Sequence, residues 1–218
     1  MKITVIGAGL VGSHVALFLL LRDVTDKVYL YDKDYKKALG ESMDINQSMS
    51  VLGNEKECIT DPNIAIIKDS DIIIICVGRR RKIGEIRTDL YEDNIPEIIE
   101  ISKIIKEYCK NPIILMVTNP SDNLTEKCRE ITKTNVISIG NELDTARLRE
   151  LVHQKTGKPR KEIDSFVSGE HGEGMICHGV DKETAYQGTQ IAINTITKKG
   201  ATVFAPALSV VETIKRLE

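Results

Sequence analysis

The chain has 218 residues, of which 41% are hydrophobic and 28% are charged. This length and composition are typical of a soluble globular protein with one domain, or with one domain and a smaller second one. The 30 basic and 32 acidic residues give a formal net charge of −2, which argues against nucleic-acid binding because that function needs a broad basic surface.

Cysteine spacing and hydropathy indicate the cellular compartment. The five cysteines are widely spaced and form no CxxC pair, so the sequence indicates neither a disulfide framework nor a metal site. The apolar N-terminus has glycines in its core and no clear cleavage site, which argues against a signal peptide. No apolar run reaches the roughly 18–20 residues that a membrane span needs. We therefore expect a cytoplasmic protein that does not contact a membrane.

Apolar runs alternate with amphipathic segments along most of the chain. Strands are predicted at residues 2–6, 27–32, 71–77, 112–118 and 135–139, and helices at residues 10–22, 35–50 and 89–110 and again after residue 118. Continuous apolar strands that alternate with helices predict an α/β fold, in which helices cover both faces of a doubly wound parallel sheet. Ligands of such sheets bind beyond the carboxyl ends of the strands. We therefore expect one crevice, formed by the loops after residues 6, 32, 77, 118 and 140.

The pattern changes after the last predicted strand of this sheet. A helix is predicted at residues 142–155, followed by a Lys- and Pro-rich turn, a short strand in DSFVSG at residues 164–169, and two helical stretches that end at Glu218. These features predict a first domain at residues 1–141 and a smaller α+β domain at residues 142–218.

A glycine-rich turn, GAGLVG at residues 7–12, follows the first predicted strand and opens a helix. In this G-x-G-x-x-G pattern, Gly7 permits the tight turn, Gly9 lets the backbone approach a pyrophosphate, and Gly12 allows close packing of helix and strand. The pyrophosphate would lie at the helix N-terminus, where N–H groups and the helix dipole favour anions. The alternative is a glycine-rich turn of an ordinary α/β protein. The predicted cofactor contacts in this turn are Gly7, Ala8, Gly9, Leu10, Val11 and Gly12.

Asp32 ends the second predicted strand, 20 residues after Gly12. A carboxylate at this position accepts hydrogen bonds from both ribose hydroxyls and repels a 2′-phosphate, so the sequence favours NAD over NADP. Lys33 is adjacent and would weaken this discrimination. Together with the glycine-rich turn, Asp32 predicts a Rossmann-type NAD-binding domain.

The loop GRRRKIGEIR, at residues 78–87, concentrates positive charge in an otherwise nearly neutral chain. Such a charge run is either a solvated surface or a site for an anion. The basic residues of this loop are Arg79, Arg80, Arg81, Lys82 and Arg87.

Three further segments carry side chains suited to acid–base chemistry and anion binding. The segment TNPSD ends a central predicted strand in a sharp turn. The segment NELDTARLRE opens a helix with Asp144 and Arg147 on one face. The segment SGEHGEG, at residues 168–174, holds His171 between glycines. Taken singly, Asp144 and Arg147 could be a surface pair and His171 a turn residue.

Together these segments resemble the lactate/malate dehydrogenase family. GAGLVG with Asp32, the basic loop, TNP, LDTAR and GEHG occur in the order and with the spacing of that family over residues 1–178, and KKGATVFAPA at residues 198–207 resumes the likeness. The resemblance implies an NAD-dependent oxidoreductase that acts on a small 2-hydroxy acid.

The resemblance also implies roles for individual residues. His171 would be the acid–base group, and Asp144 would hold its other ring nitrogen. Arg147 would bind the C1 carboxylate of the substrate in a two-pronged pair, and Arg87 would polarise the reacting carbonyl when the loop closes. Asn119 would hydrogen-bond the substrate. The remaining cofactor contacts would come from Asn94, Val117, Thr118 and Asn119.

In this family, the loop position of Arg81 contacts the end of the substrate that lies away from the C1 carboxylate. Malate-type members have Arg at this position, and lactate-type members commonly have Gln. The expected substrate is therefore a four-carbon diacid, malate or oxaloacetate, and the expected enzyme is a malate dehydrogenase of the tricarboxylic acid cycle. A lactate-type dehydrogenase is the alternative within the family. Arg79 and Arg80 replace the small residues or Pro usual there, and either face solvent or steer anions toward the cleft.

Members of the family continue well past the point where this chain stops. We therefore expect an incomplete second domain, in either a partial product of a normal enzyme or a shortened relative. A non-catalytic NAD-binding module is the alternative to an active enzyme, although the catalytic and substrate-binding side chains named above are all present. By resemblance we also expect a homo-oligomer, either a dimer or a tetramer.

Overall fold

A computed structural model describes residues 1–79, 87–172 and 174–217, and it describes the side chains of all of these except residues 87 and 88. The strands are β1 (Ile3–Ile6), β2 (Lys27–Tyr31), β3 (Glu57–Ile59), β4 (Ile72–Ile75), β5 (Ile113–Met116), β6 (Val136–Ser138), β7 (Phe166–Gly169) and β8 (Met175–His178). The α-helices are α1 (Leu10–Leu21), α2 (Tyr35–Leu52), α3 (Arg87–Tyr108), α4 (Ser121–Thr132), α5 (Gly140–Thr156), α6 (Lys182–Lys199) and α7 (Phe204–Lys215). Short 3-10 helices span Ile64–Ile67 and Arg160–Glu162.

The first six strands form one parallel sheet in the order β3-β2-β1-β4-β5-β6. Ile3 pairs with Val28 on one side and with Ile72 on the other, so β1 lies at the centre. From β1 the chain builds the sheet outward to one edge and then returns to build it toward the other edge. This order confirms the predicted α/β, doubly wound parallel sheet, and it puts the switch point between β1 and β4.

Both faces of the sheet are buried, which explains why its central strands are continuous apolar runs. All residues of β1 and of β4 are buried. Helices α1, α2 and α7 contribute to the core on one face, and α3 and α4 contribute to the core on the other. Each buried aliphatic side chain stabilises the fold by roughly 1.5–3 kcal/mol relative to an exposed one. Within the described residues, no helix is long and apolar enough to cross a bilayer.

The last helix returns to the first part of the chain. Ala207, Val210 and Ile214 of α7 are fully buried in the same core as the side chains of α1. Strands β7 and β8 form a separate antiparallel pair, with Val167 opposite Cys177, that packs against α5 and α6. The predicted division between residues 141 and 142 stays a prediction, because α7 packs against α1, and α5 packs against both α7 and β7.

Two strands were missing from the sequence-based prediction. β3 has three residues, and β8 has four, Met-Ile-Cys-His. Runs this short carry no clear period, so their strand conformation depends on the neighbouring strand with which they pair. β3 extends the edge of the sheet beside β2, and β8 completes the hairpin that carries the loop around His171.

Candidate active site

The glycine-rich turn joins β1 to α1 at the switch point of the sheet. Gly7 has a φ of +107°, which favours glycine, and a Cβ there would lie 2.7 Å from the backbone carbonyl carbon of Cys76. A Cβ at Gly12 would lie 1.8 Å from the Gly7 carbonyl oxygen. Burial raises the pKa of the neighbouring Cys76 thiol to about 12, so this thiol stays neutral. The turn is therefore tightly packed at Gly7 and Gly12, where a side chain has no room.

Helix α1 begins at this turn and presents its amino end to the crevice. Its N-cap is Gly9, which offers no side chain to satisfy the first N–H groups. Leu10 and Val11 form the start of the helix, and Ala8 precedes the cap. Free N–H groups and the helix dipole at this position fit the pyrophosphate of a dinucleotide.

Gly12→Ala is expected to lower the free energy of unfolding by about 1–3 kcal/mol and to weaken NADH binding, because the new methyl group would overlap backbone. Gly40→Ala in α2 is the matched control. Within the described part of the chain nothing lies within 4 Å of its Cβ position, and Ala should stabilise this helix by roughly 0.5–1 kcal/mol. Urea denaturation and fluorescence titration with NADH measure both effects. Equal stability of the two variants would contradict the packing role of Gly12.

The Asp32 carboxylate lies against the same turn. Its Oδ2 accepts the Ala8 N–H at 2.8 Å, and its Oδ1 accepts the Asp34 N–H at 3.0 Å. Lys37 Nζ lies 3.4 Å from Oδ2. These contacts fix the carboxylate beside the glycine-rich turn, where it can accept hydrogen bonds from the ribose hydroxyls of a dinucleotide.

Lys33, which was expected to weaken discrimination against NADP, is engaged elsewhere. Its Nζ makes a 2.9 Å ion pair with Glu97 on α3. The lysine that pairs with the Asp32 carboxylate is instead Lys37, in the first turn of α2. The sequence did not single out Lys37, because its proximity to Asp32 depends on how α2 leaves the end of β2.

Asn94 joins the loops that follow β4 and β5. It is 2% exposed, its Oδ1 accepts the Arg79 N–H at 2.9 Å, and its Nδ2 donates to the Asn119 carbonyl oxygen at 2.8 Å. Gly78 has a φ of +102°, and a Cβ there would lie 2.7 Å from Asn94 Oδ1. Both amide atoms of Asn94 are therefore bonded to backbone, so Asn94 holds the crevice loops in place. Its predicted contact with the cofactor stays a prediction.

The segment at residues 117–119 lies at the carboxyl end of β5, beside the end of β4. Thr118 Oγ1 donates to the Val77 carbonyl oxygen at 2.6 Å, and the Val117 N–H donates to the Ile75 carbonyl oxygen at 3.0 Å. These bonds hold residues 117–119, the segment predicted to line the nicotinamide, against the end of β4. Strand β4 is the neighbour of β1, which the glycine-rich turn follows.

His171, Asp144 and Arg147 form one hydrogen-bonded array. His171 Nδ1 lies 2.6 Å from Asp144 Oδ2, and Asp144 Oδ1 accepts a bond from Arg147 Nη1 at 3.0 Å. The side chains of Asp144, Arg147 and His171 are 5%, 11% and 13% exposed. Asp144 and Arg147 stand one turn apart on α5, whereas His171 approaches from the loop between β7 and β8. Because Asp144 engages Nδ1, Nε2 is the ring nitrogen through which His171 can exchange a proton with a substrate.

The charge of Asp144 is stabilised by its two partners. Burial opposes ionisation of this carboxyl, but the hydrogen bond and charge of His171 and the charge of Arg147 outweigh burial, so the pKa of Asp144 lies below its ordinary value. A carboxyl with a lowered pKa contributes stability above its unfolded-state pKa, and this contribution is lost as the pH falls through the folded-state value. The contribution of the ionised Asp144 carboxylate to stability is therefore present at neutral pH and is lost in acid.

Two residues that the sequence analysis did not single out fix the position of His171. Asp122, in the first turn of α4, accepts the backbone N–H of His171 through Oδ2 at 2.7 Å. Gly140, at the start of α5, lies against the imidazole, and a Cβ there would be 2.4 Å from His171 Cγ. The only sequence signal for Asp122 was its place in the TNPSD turn, and Gly140 gave none.

The structure describes part of the basic loop. The Arg79 guanidinium makes an ion pair with Asp93 on α3, so Arg79 is not simply solvated. Arg87 begins α3, and its side chain lies outside the described residues. Arg80 and Arg81 also lie outside the described residues. The substrate-binding roles of Arg81 and Arg87 therefore stay predictions.

Known proteins resemble this chain in sequence and in fold. Residues 1–139 match the family model described as lactate/malate dehydrogenase, NAD binding domain. An L-lactate dehydrogenase of Fervidobacterium nodosum is 41% identical over 177 residues, which cover 79% of this chain and 56% of that protein. A malate dehydrogenase of Chlorobium luteolum is 33% identical over 241 residues, which cover 100% of this chain and 77% of that protein.

A solved structure shows that the likeness extends to the tertiary structure. The malate dehydrogenase of Archaeoglobus fulgidus in complex with NADH is 31% identical, with a TM-score of 0.90 over 99% of this chain and 76% of that chain. The chain thus spans 56% of the length of the Fervidobacterium relative and about three quarters of the other two. The named relatives divide between lactate and malate dehydrogenases, so similarity does not distinguish between these two activities.

Proposed function

The chain belongs to the lactate/malate dehydrogenase family of NAD-dependent 2-hydroxyacid oxidoreductases, and from this premise we propose that it interconverts malate and oxaloacetate. The observation that carries the proposal is the buried array in which Asp144 holds His171 Nδ1 at 2.6 Å. An imidazole oriented by a carboxylate is suited to acid–base chemistry near neutral pH. The choice of a diacid rests on Arg81 in the basic loop.

Proton transfer is assigned to His171. NAD held at the glycine-rich turn would supply the hydride chemistry of the reaction. His171 Nε2 takes the hydroxyl proton of malate in one direction and returns a proton to the carbonyl oxygen of oxaloacetate in the other. Asp144 keeps Nδ1 bonded, which fixes the tautomer of the ring and stabilises the imidazolium form.

Substrate binding is assigned to three arginines and one asparagine. Arg147 binds the C1 carboxylate with the guanidinium N–H groups that Asp144 does not engage. Arg81 pairs with the second carboxylate, and Arg87 polarises the reacting carbonyl. Asn119, whose backbone carbonyl is held by Asn94, hydrogen-bonds the substrate.

L-lactate dehydrogenase activity is a second candidate. The relative that is 41% identical to this chain bears that name. In an enzyme of this kind, the preferred keto acid would be pyruvate, which has no second carboxylate to pair with Arg81. The two candidates therefore differ in one measurable quantity, the ratio of kcat/KM for oxaloacetate and for pyruvate.

NADH absorbance with each keto acid at neutral pH tests these candidates. We expect rapid turnover of oxaloacetate and little turnover of pyruvate. A preference for pyruvate would support the lactate-type activity instead. Binding of NADH without turnover of either acid would indicate a non-catalytic dinucleotide-binding module. Replacing NADH by NADPH should slow turnover strongly, because Asp32 repels a 2′-phosphate.

We also propose a homo-oligomer, either a dimer or a tetramer, in the cytoplasm, where malate turnover would serve the tricarboxylic acid cycle. Met43 and Val51 on α2 are 53% and 86% exposed, and such apolar side chains suit an interface between copies of the chain. Sedimentation equilibrium of the purified chain measures the oligomeric state directly.

A further inference from the structure

The position of His171 depends on a hydrogen bond from outside its own loop, and we infer that Asp122 is a positioning residue for this acid–base group. The inference rests on the proposed function for the role of His171. It adds Asp122 of α4 to the residues that determine the position of His171.

The loop that carries His171 has little conformational preference of its own. Gly169 and Gly172 have φ values of +85° and +103°, and Gly174 follows shortly after. Glycine loses more conformational freedom on folding than any other residue, so a glycine-rich loop needs outside contacts to hold one conformation. Asp144 provides such a contact to the imidazole ring, and Asp122 provides one to the backbone.

Asp122 accepts its hydrogen bond from His171 itself, the residue whose ring position matters for proton transfer. Its Oδ2 accepts the His171 N–H itself at 2.7 Å, across 49 residues of sequence. Elsewhere in the loop Asn141 Nδ2 donates to the Gly169 carbonyl oxygen at 2.8 Å, but that bond lies two residues before His171 and does not hold its own backbone N–H. With Asp122 in place, both ends of the His171 side chain are fixed, at Nδ1 and at the backbone.

The same short segment also carries a proposed substrate contact. Asn119 precedes α4, and its carbonyl oxygen is held by Asn94 Nδ2 at 2.8 Å. Asp122 lies in the first turn of that helix and anchors His171. The segment at residues 119–122 therefore sets the distance between the proposed substrate-binding amide and the proton donor. An error in that distance would slow proton transfer, even if the cofactor and the substrate still bound.

A simpler role for Asp122 would be stabilisation of α4. A carboxylate in the first turn of a helix interacts favourably with the helix dipole. That role would affect the stability of the protein but would leave the imidazole where it is. The two roles therefore differ in how the His171 ring responds when Asp122 is replaced.

Three variants separate these roles. Asp122→Ala removes the hydrogen bond, Asp122→Asn retains an oxygen that can accept it, and Glu126→Ala is the matched control on an exposed position one turn along α4. The first readout is the low-field proton resonance of His171 Nδ1–H, which is assigned by its loss in His171→Gln. We expect this resonance to broaden or shift in Asp122→Ala and to remain unchanged in Asp122→Asn and Glu126→Ala. This readout requires no turnover.

Kinetics give the second readout. Asp122→Ala should lower kcat for oxaloacetate reduction by roughly 10- to 100-fold, with a nearly unchanged KM for NADH and a larger solvent deuterium isotope effect. Asp122→Asn should restore most of the lost kcat.

An unchanged Nδ1–H resonance in Asp122→Ala would overturn the inference, whatever the loss of stability. An Asp122→Asn variant as impaired as Asp122→Ala would also overturn it, because that variant retains the acceptor. A wild-type chain without turnover would refute the proposed function and leave the resonance to decide the positioning role by itself.

Discussion

Replacement of His171 by Asn is expected to lower kcat for oxaloacetate reduction by roughly 10²–10⁴-fold, the range over which a positioned acid–base group contributes. Asn is similar in size to the imidazole end that contacts Asp144, but it cannot exchange a proton near neutral pH. NADH affinity should change little, because the glycine-rich turn and Asp32 belong to other loops of the sheet. Steady-state kinetics combined with fluorescence titration of NADH separate these two quantities.

His153→Asn is the matched control for this substitution. His153 lies in the last turn of the same helix that carries Asp144, and its Nδ1 is 2.7 Å from the Lys158 carbonyl oxygen. It stands about 14 Å along the helix axis from Asp144. We expect it to keep wild-type kcat. If His171→Asn also kept wild-type kcat, or if both variants lost it equally, His171 would not be the acid–base group.

Arg81→Gln is expected to reduce kcat/KM for oxaloacetate far more than kcat/KM for pyruvate. In the proposed site Arg81 pairs with the second carboxylate of the diacid, and removing one partner of a buried ion pair costs about 3–5 kcal/mol, or roughly 10²–10⁴-fold. Pyruvate has a methyl group in place of that carboxylate arm, so its turnover should be kept or increased. Parallel kinetics with the two keto acids measure the change in the ratio.

The neighbouring substitution Arg80→Gln controls for a general loss of positive charge in the basic loop. If the loop only steers anions toward the crevice, the two substitutions should have similar effects that both weaken as the ionic strength rises. If Arg81 pairs with the second carboxylate, only Arg81→Gln should change the preference between oxaloacetate and pyruvate. Equal losses on oxaloacetate and pyruvate in Arg81→Gln would remove the argument for a malate-type enzyme.

Local patterns were sufficient to predict five of the six strands of the parallel sheet and the glycine-rich turn. The four isoleucines of β4 form a strand that is buried on both faces, and such a run is typical of a central parallel strand. Gly7, Gly12 and Asp32 belong to adjacent elements of one βαβ unit, so their spacing alone brings them together. The family resemblance added the proposed roles of His171, Asp144 and Arg147, of which only Asp144 and Arg147 are related by helical spacing.

The sequence by itself therefore determined the α/β architecture, the place of the glycine-rich turn and the presence of an acidic residue beside it. Hydrophobic period and turn residues encode these features, because each depends on burial or backbone conformation within a few residues. Only the tertiary structure decided that Lys37 and not Lys33 meets Asp32, and that Asp122 holds the backbone of His171. The first contact depends on how α2 leaves the end of β2, and the second joins the start of α4 to the β7–β8 hairpin, across 49 residues of sequence. Neither residue spacing nor hydropathy records which side chain of one loop reaches which atom of another.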